Sequence, residues 1–273
     1  MPTATVNGIE IYFERHGEGP RLLFVNGSGA TLARLGPLLD ILAAQFDLLA
    51  HDQRGLGKTE IPSGQYSMAD YAADIAGLLD HVGWDSCRVM GVSFGGMVAQ
   101  EYAVTWPKRV ERLALLCTSP GGVGRSSYPL HELERLDPAD RAARATQLLD
   151  SRFTPEWLAE HPGDRMMVEG FAGGGMTAGL TEEQRRGAAA QLDARRFHDV
   201  FDRLDRITCP TLVAAGRYDG IAPVSNSEAI VAAIPGAELR VYDGGHAFFA
   251  QDPAALPEVL AFLSGTQAAS AAG

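Results

Sequence analysis

The sequence predicts an α/β protein: a mostly parallel, doubly wound sheet of about eight strands with an inserted helical cap. Three observations predict it. Apolar runs of strand length alternate with longer helical patterns over residues 1–119 and again over 206–273. The alternation stops between residues 120 and 205, where helix starts follow one another with almost no strand-like run between them. Residues 86–106 then read as a buried strand, a Gly-x-Ser-x-Gly turn and a helix in direct succession. The core is therefore expected to be 1–119 with 206–273, and 120–205 the inserted cap. A length of 273 residues suits one α/β core carrying such an insertion.

Each element has its own signal. Residues 3–6 and 9–16 flank Asn7-Gly8, a two-residue hairpin turn. Residues 22–25 are a short apolar strand, and 46–50 another that leads into Asp52. A helix over 68–82 begins after Ser67, with Asp70 three residues on as the second half of a capping box. The strand 86–92 precedes a helix expected over 97–106, and 110–117 is a further strand. Inside the insertion, Asp137-Pro138, Thr154-Pro155 and Thr181-Glu182-Glu183-Gln184 mark helix starts. Residues 170–179 hold so many glycines that no helix is expected there; a hinge or loop over the site and an inert linker are both open. Strands at 210–216 and 238–242 restore the alternation, and a helix runs from Pro253 to about residue 263. The small, polar tail 265–273 is expected to be mobile.

The chemistry centres on Gly91-Val92-Ser93-Phe94-Gly95. A serine on this turn projects above the sheet, and the following helix aims backbone N–H groups at developing negative charge. A hydroxyl needs a base, and the base an orienting acid. On such a sheet both come from loops after later strands. Asp219 follows the strand 210–216 and His246 follows 238–242, so the order Ser93, Asp219, His246 is right. Asp243 competes as the acid but stands only three residues from His246, where capping the turn is its expected role. Thr118-Ser119-Pro120, after the strand 110–117, offers no acid. Asn26-Gly27-Ser28-Gly29 lets the backbone approach, so the oxyanion donors are assigned to the N–H groups of Phe94 and Ser28.

These segments, together with Asp52-Gln53-Arg54-Gly55-Leu56-Gly57-Lys58-Thr59 and Gly244-Gly245-His246-Ala247-Phe248-Phe249, resemble the α/β-hydrolase fold family over nearly the whole chain. The resemblance is greatest to its esterase and enol-lactonase-like branch. It implies a serine hydrolase that cleaves an ester or lactone through Ser93, His246 and Asp219, with no cofactor. It also implies structural roles for Asp52 and Arg54. Asn26 departs from the histidine usual in the family, and Thr59 from the common serine. Carbon–carbon hydrolysis and cofactor-free perhydrolysis use the same three residues, and a ligand-sensing pseudo-enzyme would retain them.

The substrate is expected to be a small molecule with a small to medium, largely apolar acyl group. Asn26, Gly27, Phe153, Trp157, Phe171 and Phe248 are the candidate pocket residues. No arginine cluster in the cap stands out as a carboxylate clamp, with Arg125 and Arg165 left as candidates. A net charge of −11 argues against nucleic acid and anionic membrane surfaces as partners. No apolar run approaches a membrane span, and no secretory signal opens the chain, so the Asn26-Gly27-Ser28 sequon is discounted. Cys87, Cys117 and Cys209 are expected to be buried free thiols, and a reducing, cytoplasmic location is expected from them. The seven histidines show no metal-ligand spacing, and His51 is expected to make a structural hydrogen bond. Gly57-Lys58-Thr59 lacks the first glycine of a phosphate loop. Monomer and homodimer are both open.

Overall fold

The computed structural model describes residues 2–122, 125–173 and 179–266. The chain runs through β1 (Thr3–Val6), β2 (Ile9–His16), β3 (Arg21–Val25), α1 (Gly36–Ala43), β4 (Asp47–His51), α2 (Met68–His81), β5 (Cys87–Val92), α3 (Phe94–Thr105) and β6 (Val110–Leu116). Four helices follow: α4 (Pro138–Leu149), α5 (Pro155–Glu160), α6 (Pro162–Gly173) and α7 (Glu182–Arg196). The chain closes with β7 (Thr211–Gly216), α8 (Val224–Ala233), β8 (Glu238–Tyr242), α9 (Phe248–Gln251) and α10 (Ala255–Ser264).

The eight strands form one sheet in the order β1-β2-β4-β3-β5-β6-β7-β8. The β1–β2 and β2–β4 pairs are antiparallel, and every pair from β4 onward is parallel. Parallel strands covered on both faces must be apolar along their whole length. Residues of one parity, including Leu23, Val89, Leu113 and Val213, pack with α2 and α3. Their neighbours Leu22, Met90, Ala114 and Leu212 pack with α1 and α10 on the opposite face. The carboxyl ends of β3, β5, β7 and β8 consequently share one rim, where open α/β sheets bind their ligands.

Local chemistry accounts for the boundaries. Asn7 and Gly8 both take positive φ (48° and 79°), as the tight β1–β2 turn requires. Ser67 and Asp70 form the reciprocal capping box of α2, and Thr181 with Gln184 forms that of α7. Asp137 and Thr154 cap α4 and α5 through their side chains.

Two expectations need correction. The helix after β5 begins at Phe94, immediately beyond the serine, and not at residue 97. Gly95 and Gly96 sit in its first turn, where an added Cβ would lie 2.0 Å from the Val25 carbonyl oxygen and 2.6 Å from the Thr118 side chain, respectively. Residues 170–173 are helical, although the glycines there argued against it. Once α6 is nucleated from Pro162, adding a glycine costs only about 1 kcal/mol against alanine. Residues 174–178 of that segment, and the tail from 267, lie outside the described residues.

Helix α7 docks against the core through a buried stripe of Gly187, Gln191, Ala194 and Arg195. Its approach at Gly187 is close: a Cβ there would fall 2.1 Å from the carbonyl oxygen of Gly55. Arg54 of the same turn holds Asp74 of α2 in a buried two-bond ion pair at 2.6 and 2.7 Å. Asp52 accepts the N–H groups of Leu32 (2.7 Å) and Lys58 (2.9 Å), tying the turn to the chain that follows β3.

Candidate active site

Ser93 stands between β5 and α3 at φ 54° and ψ −116°, a backbone conformation that side-chain-bearing residues avoid. The surroundings enforce it. A Cβ on Gly95 would lie 2.0 Å from the carbonyl oxygen of Val25, and one on Gly91 2.5 Å from that of Gly95. Only glycine fits where helix and strands cross this closely. The Ser93 N–H donates to Leu116 (2.9 Å), while its carbonyl oxygen accepts from the Thr118 hydroxyl at 2.8 Å. The strained residue is thus anchored from the end of β6.

Three groups meet at this turn. His246 Nε2 lies 2.9 Å from Ser93 Oγ, and its Nδ1 lies 2.8 Å from Asp219 Oδ2. The other oxygen of Asp219 accepts the N–H groups of Ile221 (2.7 Å) and Ala222 (2.8 Å), so this buried carboxylate is fully engaged. A carboxylate at Nδ1 holds that proton in place and leaves Nε2 to accept from the serine.

A strap formed by the C-terminal end of α4 holds the two loops together. Its backbone pairs with both: Gly220 N–H donates to Leu148 (3.1 Å), His246 N–H to Leu149 (2.6 Å), and Ser151 N–H to Tyr218 (2.9 Å). A Cβ on Gly245 would fall 2.0 Å from the Leu149 carbonyl oxygen, which explains that glycine. The fully buried Asp150 accepts from Arg152 (Nε 3.0 Å and a terminal nitrogen at 2.7 Å) and from Gln251 (3.0 Å). Gln251 in turn accepts the Gly245 N–H at 2.8 Å. Asp243 ion-pairs with Arg152 at 3.2 Å and is largely exposed, so it does not compete for His246.

The loop after β3 is held just as firmly. Gln53 donates to both the backbone and the side-chain oxygen of Asn26, each at 2.8 Å, and Asn26 donates to Ala30 at 3.2 Å. Gly29 N–H donates to Gln191 of α7 at 2.8 Å. Gly27 is close enough to Ser93 that its Cβ would lie 3.5 Å from that of the serine. Among the described residues no acceptor takes the N–H of Ser28 or of Phe94, the first residue of α3.

With this geometry in view, a model of the alpha/beta hydrolase fold matches residues 20–253. The chain belongs to the α/β-hydrolase fold family. A protein named as a carbamate hydrolase, from Azorhizobium caulinodans, is 29% identical over 95% of this chain and 97% of its own length. The 3-oxoadipate enol-lactonase 2 of Acinetobacter baylyi is 24% identical over 93% of this chain and 92% of its own. The crystal structure of a hydrolase from Pseudomonas aeruginosa PA01 superposes with a TM-score of 0.79 at 29% identity, covering 97% of this chain and 98% of that one. This α/β hydrolase is thus an enzyme of the hydrolase class, and enol-lactonases and esterases are among its relatives, as its motifs led one to expect.

The expected pocket residues fare unevenly. Gly27 borders Ser93. Asn26 is buried with both side-chain groups spent on Gln53 and Ala30, so it braces the loop. Phe248 is a correction: it is fully buried in the α10-side core, stacked on Tyr242 at 5.3 Å. A ring at the start of α9 packs beneath its own loop, so nearness in sequence to His246 misled. Trp157 stacks on His161 at 3.8 Å and donates to Asp164 at 2.8 Å, knitting α5 to α6. Phe153 is buried beside the strap, and the side chain of Phe171 lies outside the described residues. Arg125 stacks over Phe201 at 4.2 Å and Arg165 is exposed beside Glu169.

Sequence reasoning missed the α4 strap and the pair Gln191 and Arg195. The strap acts through backbone carbonyls, which leave no trace in side-chain identity. Gln191 and Arg195 did leave one: two polar residues four apart on the stripe of α7 that also carries Gly187 and Ala194. Other groups are quiet. His51 is buried but its Nδ1 has no partner, contrary to the expected hydrogen bond, and burial pushes its pKa down to about 4. The three cysteines are free, with Cys209 only half-buried, and burial pushes the Cys87 thiol up to about 12. Among the described residues no cluster of His, Cys, Asp or Glu could hold a metal ion, and no helix is long and apolar enough to cross a membrane.

Proposed function

We propose that this α/β hydrolase cleaves an ester or lactone through an acyl-enzyme on Ser93. The observation that carries the reading is the unbroken hydrogen-bonded series from Ser93 Oγ through His246 to Asp219. His246 Nε2 takes the hydroxyl proton as Ser93 Oγ bonds to the acyl carbon. Asp219 stabilises the imidazolium formed. The carbonyl oxygen gains the negative charge, which the N–H groups of Phe94 and Ser28 receive. Collapse of this intermediate breaks the bond to the alcohol oxygen, and His246 returns the proton to that leaving group. Water then attacks the acyl carbon, giving its proton to His246. The second collapse frees the acid and restores Ser93. In a lactone the acid and alcohol leave as one molecule.

Hydrolysis of a panel of short esters and lactones by wild type and Ser93→Ala tests the scheme. Removing such a serine costs about 10⁶ in turnover. Wild-type rates in Ser93→Ala on every substrate hydrolysed would overturn it.

A further inference from the structure

Arg195 on α7 is more than nine-tenths buried. Two of its nitrogens donate to the carbonyl of Tyr128 (2.8 Å) and the hydroxyl of Ser127 (2.6 Å), both uncharged, and its Nε has no acceptor. Three other shielded arginines differ. Arg54 holds Asp74, Arg152 holds Asp150, and Arg203 holds Glu101 with two bonds. Among the described residues no carboxylate lies within ion-pair distance of Arg195. Burying a cation without a counter-charge is costly, and this chain has 34 acidic residues from which one could have been supplied. Burial pushes the guanidinium down to about 10, which leaves it charged at neutral pH.

Its position gives the isolation a purpose. One turn earlier on the same stripe, Gln191 accepts from Gly29, beside Ser28, and its Nε2 is buried with no acceptor. On the other side, Tyr128 N–H donates to Ile221 (2.7 Å), whose own N–H binds Asp219. Helix α7 therefore bridges from the loop beside Ser93 to the loop of Asp219, and presents unspent donors along the way. The hydroxyl of Ser28 is a third buried group there without a partner. The charge of Asp219 acts on Arg195, but its oxygens are already taken by His246, Ile221 and Ala222.

We propose that Arg195, assisted by Gln191, binds a carboxylate carried by the substrate, so that the favoured esters or lactones are acidic. This rests on the serine-hydrolase reading above and replaces the expectation of a largely apolar substrate with an apolar chain ending in a charge. Arg195 is then a specificity residue: the substrate carboxylate supplies the counter-charge that the folded chain withholds from it.

Ester hydrolysis followed by pH-stat tests this with matched pairs, monoethyl glutarate against ethyl pentanoate and monoethyl adipate against ethyl hexanoate. Wild type is expected to prefer the acidic member in kcat/KM. Arg195→Gln lowers the acidic-to-neutral ratio roughly 30-fold, as loss of a charge-assisted hydrogen bond should. Arg195→Lys recovers part of the ratio. The control Arg186→Gln, an exposed residue of α7 bound to the Ile61 and Pro62 carbonyls, leaves it unchanged. Should the Arg195 variants fail to fold, wild type alone decides: adipate inhibits ethyl hexanoate hydrolysis competitively, whereas 1,6-hexanediol at equal concentration does not. Two results overturn the proposal: no preference for the acidic esters together with no inhibition by adipate, or equal losses on both members of each pair in Arg195→Gln with a shifted pH profile, which would assign Arg195 to the Asp219–His246 pair. Labelling of Ser93 by a phosphonate separates the two readings. If it persists while the preference is absent, only the carboxylate site fails; if it is absent, the hydrolase scheme fails first.

Discussion

At Ser93 the backbone bears strain that glycines on either side make possible. Its φ of 54° survives because Gly91 and Gly95 let strand, turn and helix interpenetrate, and because Leu116 and Thr118 hold its N–H and carbonyl. The Gly-x-Ser-x-Gly spacing therefore made this strained turn legible directly. Asp219 and His246 were legible more indirectly, as the acid and the imidazole that follow two later strands. A sharper test of Asp219 than its deletion is Asp219→Asn. The amide has no charge to stabilise the imidazolium and can turn an N–H donor toward Nδ1, so the ring loses its productive tautomer. Turnover on the best ester should fall about 10⁴-fold with little change in KM. A loss under tenfold would assign the acid role elsewhere. Phe248 marks the limit of reasoning from neighbours: two residues past His246, it faces the core, because a short helix turns its first ring beneath the loop.

At the scale of elements, the strands were readable because a sheet covered on both sides demands continuous apolar runs. Helices with side-chain caps were readable too, as at Ser67, Asp137, Thr154 and Thr181. Helices α1 and α8 were not read, and neither carries a side-chain hydrogen bond at its N-cap, which is Leu35 in one and Pro223 in the other. The end of α4 also went unseen, since it grips the His246 loop by its carbonyls. Asp150 makes that grip testable. Removing a buried carboxylate that pairs with Arg152 and Gln251 should cost about 3 kcal/mol, or roughly 6–12 °C in melting temperature. Because Gln251 and Leu149 both support the Gly245-His246 segment, Asp150→Ala should lower kcat more than it raises KM. Thermal unfolding with steady-state kinetics checks both, and an unchanged kcat in the folded variant would separate the strap from the imidazole's placement.

For the molecule as a whole, stability should depend on two buried histidines that the proposed reaction does not use. Burial pushes the pKa of His51 and of His198 down to about 4. In the unfolded chain each takes up a proton near pH 6.5. The unfolded state thus binds more protons between pH 6.5 and 4, so stability rises with pH across this window and is lost as pH falls through it. Each histidine contributes a slope of up to about 1.4 kcal/mol per pH unit, and about 3 kcal/mol in all. Urea unfolding at pH 7, 5.5 and 4.5 should show this loss, and His51→Gln with His198→Gln should flatten it. Parallel pH dependence in wild type and the double variant would remove these residues from the account.

The central claim is that Ser93 Oγ is the attacking atom and His246 its base. Intact-protein and peptide mass spectrometry after exposure to a serine-reactive phosphonate tests it most directly. One adduct, located on Ser93, absent in Ser93→Ala and formed at least a thousandfold more slowly in His246→Ala, is the predicted result. Modification of a different residue, or an unaltered rate in His246→Ala, would contradict it.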